Sequence, residues 1–313
     1  MQDFWAEFPA VDTLRWQQAV ERLVGGDAER LTWQADADLS LRPLYRADEV
    51  AAASPLTAAV GAVPLLTESW HLQGDLSALN ERILAALAQG VSELIFRLPA
   101  HWRQEDLQRA LEGVWLDMVR ISFDVDSDEA ADTERLQTFL QERPCCGHIA
   151  FRGDWAASVA LIERLPAYSA VTLRWKAQTG EEQTQAQGLA RIAEQMQSWL
   201  EYAFSRGWSW ESAVLALRVE VEIGESYLLQ VARVRALRRV YLALAESWQA
   251  AGRYVGELLP ALPILATTTS LDTLHKTSTF SLLAATNQAL SASIGGIGAL
   301  QISPPTGWEG LQE

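Results

Sequence analysis

Cysteine is nearly absent from this chain. Only Cys145 and Cys146 occur among 313 residues, and adjacent thiols cannot build a long-range disulfide framework. They read as two reduced loop residues ahead of a strand starting at His148. Histidine is scarce as well: His71, His101, His148 and His275 fall in separate segments, whereas a metal site needs His and carboxylate ligands that converge. No metal is expected. Basic charge is outweighed, with 25 Lys and Arg against 40 Asp and Glu and a net charge of −15, which repels phosphate backbones and anionic lipid. Neither nucleic acid nor a membrane is expected as a partner. No apolar run reaches the ~20 residues that span a bilayer, and Met1-Gln2-Asp3-Phe4-Trp5-Ala6-Glu7 lacks the basic start and apolar core of a signal peptide. The expected setting is soluble and cytoplasmic.

What is present is a core. Hydrophobic residues make up 49% of the chain, and the length accommodates one (β/α)8 barrel of about 250 residues with an extension. Residues 1–66 carry scattered anchors, Phe4, Trp5, Phe8, Trp16, Leu23, Leu31, Trp33, Leu41 and Tyr45, among acidic and polar residues, with one amphipathic helix expected over Thr13–Val24. This is an N-terminal arm that must pack on the barrel or on a partner. Residues 67–313 alternate strand and helix. Strands are expected near Ser69–Gln73, Glu93–Leu98, Val119–Val125, His148–Gly153, Ala170–Lys176, Ala216–Glu222, Ile264–Thr269 and Ala299–Ser303. Helices are expected over Ser77–Gln89, Gln104–Glu112, Ala130–Glu142, Ala156–Leu165, Glu182–Arg206, Ser226–Ala250 and Ser278–Ser291. Eight strands alternating with helices imply right-handed crossovers and a parallel sheet, closed as a TIM-type barrel. The other arrangement, a doubly wound sheet, lacks a Gly-rich fingerprint after its first strand, where Gly74-Asp75-Leu76-Ser77 stands. Pro304-Pro305-Thr306-Gly307-Trp308 breaks the chain where an eighth helix would follow. The outer wall of the last strand is therefore expected to be bare.

Barrel chemistry sits at the C-terminal ends of the strands. Candidates there are Gln73, Arg97, Asp124, Asp126, Arg152, Asp154, Lys176, Glu220, Glu222, Thr267, Thr268, Gln301 and Ser303. Alternation puts Glu220 and Glu222 on one face with Arg218 beside them, either as a structural ion-pair network or as the acid/base set of an independent barrel enzyme acting on a small substrate. Thr267-Thr268-Thr269-Ser270 reads as a strand end with spare hydroxyls, and Gly295-Gly296-Ile297-Gly298 as a helix stop and tight turn. Trp208-Ser209-Trp210 reads as core and lid packing.

Several segments carry a resemblance. Leu31-Thr32-Trp33, Leu41-Arg42-Pro43-Leu44-Tyr45, Trp70-His71-Leu72-Gln73, the run Val221 to Tyr241 with Gly224, Tyr227, Ala232, Arg233, Arg235, Ala236 and Arg238, and the tail with Gly295, Gly296 and Leu300 are similar in order and spacing to the methylmalonyl-CoA mutases. Within that family the chain most resembles the small subunit of heterodimeric members. The resemblance implies a barrel that takes an acyl-CoA ester along its axis and a large-subunit partner that isomerises succinyl-CoA and methylmalonyl-CoA. It also implies adenosylcobalamin at the level of the assembled enzyme. It withholds catalytic residues here: the two family histidine positions fall on Leu265 and Gln301, the first-strand arginine position on Gln73, and no matching tyrosine follows. The cobalamin motif has its only near match in Asp272-Thr273-Leu274-His275, with the wrong spacing. A leucine cannot donate a hydrogen bond to a thioester carbonyl, so a non-catalytic chain that binds no cofactor itself is the implied role.

Overall fold

The computed structural model describes residues 12–45, 63–125, 130–141, 143–151, 155–176, 184–253, 261–269 and 278–303. Asp126, Arg152, Asp154, Ser270, Asp272, His275, the Pro304–Trp308 break and the first aromatic anchors lie outside them.

Contacts divide the chain into two compact units, Met1–Pro55 with Thr184–Ala186, and Leu56–Gln183 with Gln187–Glu313. In the first unit, α1 (Thr13–Val24) forms where expected. The Asp12 carboxylate accepts from the Arg15 N–H at 2.7 Å, and Gly25 ends the helix at φ 73°. That left-handed conformation carries little penalty only for glycine. A 3-10 turn, Ala28–Leu31, leads into a two-residue antiparallel ladder, β1 (Trp33–Gln34) with β2 (Ser40–Leu41). The sequence pattern does not announce that ladder, because two-residue strands carry no alternation to read.

The second unit is the barrel. Its elements run β3 (Leu65–His71), α2 (Leu76–Ala88), β4 (Glu93–Leu98), α3 (Gln104–Ala110), β5 (Arg120–Val125), α4 (Ala130–Gln141), β6 (Gly147–Phe151), α5 (Trp155–Arg164), β7 (Tyr168–Ser169) and β8 (Val171–Trp175). They continue with α6 (Gln185–Ser205), α7 (Trp210–Leu215), β9 (Leu217–Ile223), α8 (Tyr227–Ala250), β10 (Ile264–Thr268), α9 (Ser278–Gly295) and β11 (Ala299–Gln301). The sheet order is β7-β6-β5-β4-β3-β11-β10-β9-β8, with every neighbouring pair parallel. β7 and β8 are one strand broken at Ala170. The first piece pairs with β6 and the second with β9, so the nine segments make a nearly closed eight-stranded α/β barrel.

Several element ends shift by a few residues from the sequence reading, and two differences matter most. The first barrel strand starts at Leu65 rather than Ser69, because the Leu65 N–H bonds the Gly298 carbonyl at 3.0 Å and the ladder with β11 begins there. The short α7 precedes the sixth barrel strand, capped by the Ser209 hydroxyl accepting from the Ser212 N–H at 3.1 Å.

Strand alternation divides the core. Outward side chains such as Leu94, Phe96, Ile121, Phe123, Val219 and Val221 pack beneath the helices in two large clusters. Inside the barrel the apolar contribution is small, Ile95, Leu265 and Ala299. Strands buried on both faces should be apolar throughout; here the inward positions are largely polar, so the interior must satisfy its own hydrogen bonds. On the outer wall, Leu300 is 4% exposed but Ile302 is 47% and Leu66 39% exposed. Leu283, Leu290 and Ile294, spaced along one face of α9, are exposed too.

Gly147 lets β6 close against β5: a Cβ there would collide with the Ile121 carbonyl. Gly147→Ala is expected to cost about 1–3 kcal/mol through displaced backbone, measurable as a lowered thermal midpoint. An unchanged midpoint would contradict that packing.

Candidate functional site

The C-terminal mouth holds a cavity of about 330 Å³ lined by the strand ends, among them Ser69, Arg97, Asp124, Lys176, Glu222 and Thr267. Glu220, Gln301, Ser303 and Leu265 also line it. Two sequence candidates stand elsewhere. Gln73 is exposed in the turn after β3, where its N–H bonds the His71 carbonyl at 2.9 Å. Thr268 points to the helix side, 2% exposed, with its hydroxyl accepting from the Ser303 N–H at 2.8 Å. It ties β10 to the segment after β11 and cannot face a ligand in the mouth.

Arg218, Glu220 and Glu222 all line the mouth cavity, as alternation implies, but Arg218 takes its ion-pair partner from another strand. Arg218 lies deeper and crosses the barrel to Glu93, Nη2 to Oε1 2.5 Å, with the two side chains 8% and 0% exposed. Glu220 instead pairs with Arg174 at 2.8 Å, and the same guanidinium reaches Asp124 at 3.7 Å. Alternation correctly places the three residues on one face; it cannot say which strand across the barrel supplies each partner. At the rim, the Gln301 amide donates to the Ser69 hydroxyl at 2.8 Å.

Below the mouth a polar network fills the interior. Glu93 accepts from the Ser122 hydroxyl at 2.5 Å and from Thr67 at 3.4 Å. Ser122 Oγ accepts in turn from the His148 N–H at 2.9 Å. The His148 ring is 1% exposed, with Nδ1 2.7 Å from the Ser169 hydroxyl and Nε2 2.8 Å from the Thr172 hydroxyl. Sequence reasoning missed this set. The inward register Glu93, Ile95, Arg97 was readable, but an acid opening an apolar strand is more often a solvated strand end.

Burial holds the His148 pKa well below its ordinary 6.5, helped by the guanidinium groups of Arg218, Arg120 and Arg174. The sign follows. Above pH 6.5 both folded and unfolded forms are neutral there; below it the unfolded chain takes the proton first, so stability is lost as pH falls. The loss grows as the pH falls further below 6.5. Urea midpoints at pH 7.5 and 5.5 should show it in the native protein and not in His148→Gln. Equal pH dependence in both proteins would contradict a buried neutral imidazole.

Arg233 positions the rim. From α8 it donates to the carbonyls of Glu222 at 2.7 Å, Lys176 at 2.8 Å and Trp175 at 3.2 Å, with its guanidinium 4.1 Å from the Trp175 ring centroid. Burial lowers its pKa to about 10, opposed by Glu222, so it stays charged at neutral pH. It stitches the ends of β8 and β9 together, fixing Lys176 and Glu222.

Beneath the network a second cavity, about 370 Å³, opens at the opposite end of the barrel and shares Arg218 and Leu265 with the mouth. Leu265 is 3% exposed. Arg218, Glu93 and Leu265 thus form a septum between the two ends. No helix among the described residues is long and apolar enough to cross a membrane, and no group of three or more metal-ligating side chains occurs among them.

No protein-family model matches the chain. The methylmalonyl-CoA mutase small subunit of Streptomyces virginiae is 25% identical over 96% of this chain and 54% of that protein. This chain is thus similar to a mutase small subunit, and it spans about half that relative's length. Among solved structures, dihydropteroate synthase from Thermus thermophilus superposes with a TM-score of 0.48 at 18% identity, covering 78% of this chain and 89% of that one. The Xanthomonas albilineans dihydropteroate synthase gives 0.48 at 12% identity, covering 76% and 86%. Those likenesses are loose, and the barrel assignment stands on the strand order itself.

Proposed function

We propose that this chain is a non-catalytic small subunit of a heterodimeric, adenosylcobalamin-dependent methylmalonyl-CoA mutase. The large subunit carries out the isomerisation. The similarity to a mutase small subunit along nearly the whole chain carries this reading, and three features support it. First, Leu265 stands where the resemblance implies a catalytic histidine, packed against Ile95 and Ala299; it offers no donor to a thioester oxygen. Second, the septum of Arg218, Glu93 and Leu265 stands across the axis along which an acyl-CoA would lie. Third, exposed Leu66, Leu283, Leu290, Ile294 and Ile302 are the apolar surface expected of a chain that works in an assembly.

The described residues do not fit a cobalamin ligand site. Both ring nitrogens of His148 are engaged by hydroxyls in the barrel interior, and His71 and His101 are exposed in separate segments. In this reading the cofactor is held by the large subunit, and this chain contributes contacts and stability.

The test is turnover. The purified chain supplied with adenosylcobalamin and succinyl-CoA should form no methylmalonyl-CoA, whereas coexpression with the mutase large subunit should give an active complex containing both chains. Turnover by the chain alone would overturn the proposal.

A further inference from the structure

The mouth cavity is not explained by a subunit role. Its acids are unevenly committed: Asp124 and Glu220 are both held by Arg174. Two of its four cations are not paired in this way. Arg97 at the end of β4 and Lys176 just after β8 line the cavity, and neither has a carboxylate within ion-pair distance among the described residues. They sit on walls three strand positions apart around the barrel. The lining sets Arg97, Arg174, Lys176 and Arg218 against Asp124, Glu220 and Glu222, so the mouth is close to charge balance in a chain of net charge −15. An anion is repelled less there than over the rest of the surface, and Arg97 and Lys176 are the groups left to hold it.

Size and floor narrow the ligand. The cavity of about 330 Å³ is at the lower end of the roughly 300–1,000 Å³ typical of small-molecule sites. Ile95 and Leu265 line its lower part, and the Arg218–Glu93 pair closes the axis below. A long flexible chain cannot continue downward without displacing a buried ion pair. Around the rim, Thr267 and Ser303 supply polar groups to a ligand held between the two cations. A guanidinium matches carboxylate and phosphate oxygens in a fork, and an ammonium acts as a point charge.

We propose that the barrel mouth is a binding site for a small dianion, a short dicarboxylate or a phosphate monoester, held between Arg97 and Lys176. The site goes beyond the subunit reading and does not depend on it. Arg233 matters indirectly, because it fixes the backbone that carries Lys176.

Isothermal titration of the full chain with glutarate, inorganic phosphate and coenzyme A tests this. The expected result is saturable 1:1 binding of glutarate or phosphate. Binding of glutarate alone assigns the dicarboxylate, and binding of phosphate alone the phosphate monoester. Affinity should fall at least tenfold in Arg97→Gln and in Lys176→Gln. It should hold in Arg103→Gln, an exposed arginine paired with Asp106 at 3.3 Å and absent from the mouth lining. The proposal is overturned if neither dianion binds, if both rim variants keep native affinity, or if coenzyme A binds 1:1 far more tightly than either dianion, since the cavity would then take a whole nucleotide and not a small dianion. Absence of a large-subunit partner would leave these outcomes unchanged, so the two readings fail separately.

Discussion

Replacing Glu93 with Leu should cost about 3–5 kcal/mol of folding stability, because it leaves the Arg218 guanidinium buried without its counter-charge. The pair is 2.5 Å apart with side chains 8% and 0% exposed, so water replaces the missing carboxylate only in part. The double variant Glu93→Leu/Arg218→Met should recover most of the loss, since replacing both members of a buried pair with apolar groups is often neutral or stabilising. Chemical denaturation of the four proteins gives the coupling directly. Additive losses would show that the two residues do not act as a pair. By contrast, Arg174→Met should cost little, because the Arg174–Glu220 bridge is 44% and 25% exposed and solvent screens it.

Trp199→Ala should be as damaging, at about 3–5 kcal/mol. The ring is 0% exposed, meets Trp155 and Trp208 edge-on at 5.9 Å centroid separations, and donates its indole N–H to the Ala213 carbonyl at 2.8 Å. Truncation opens a cavity and orphans a buried acceptor. Trp115 provides the control. It is 72% exposed, and its replacement by alanine should change stability by no more than about 0.5 kcal/mol. Matching losses at the two positions would contradict the described core.

The barrel was legible because each strand–helix unit repeats a pattern that local rules can read. Alternation set the inward face of Glu220 and Glu222, and apolar periodicity marked the helices apart from the short α7 that Ser209 caps. Trp208 and Trp210 do pack, as their sequence implied, the first against Trp199 and the second against Tyr241 and Trp248. What was not legible depends on contacts between strands far apart in sequence. Nothing local connects Glu93 to Arg218, 125 residues away, or sets His148 between Ser169 and Thr172. The mouth was half readable for the same reason. Thr267 and Thr268 are neighbours with the same hydroxyl, yet one faces the cavity and the other braces the strand behind it. Arg233 appeared in the sequence only as part of a basic helix; its grip on two strand ends becomes visible when that helix docks.

The most direct test of the subunit assignment is the native mass of this protein purified from its own cells, with every co-eluting chain identified. The account predicts a one-to-one complex with a larger, cobalamin-containing mutase chain. A lone monomer with no such companion would contradict it.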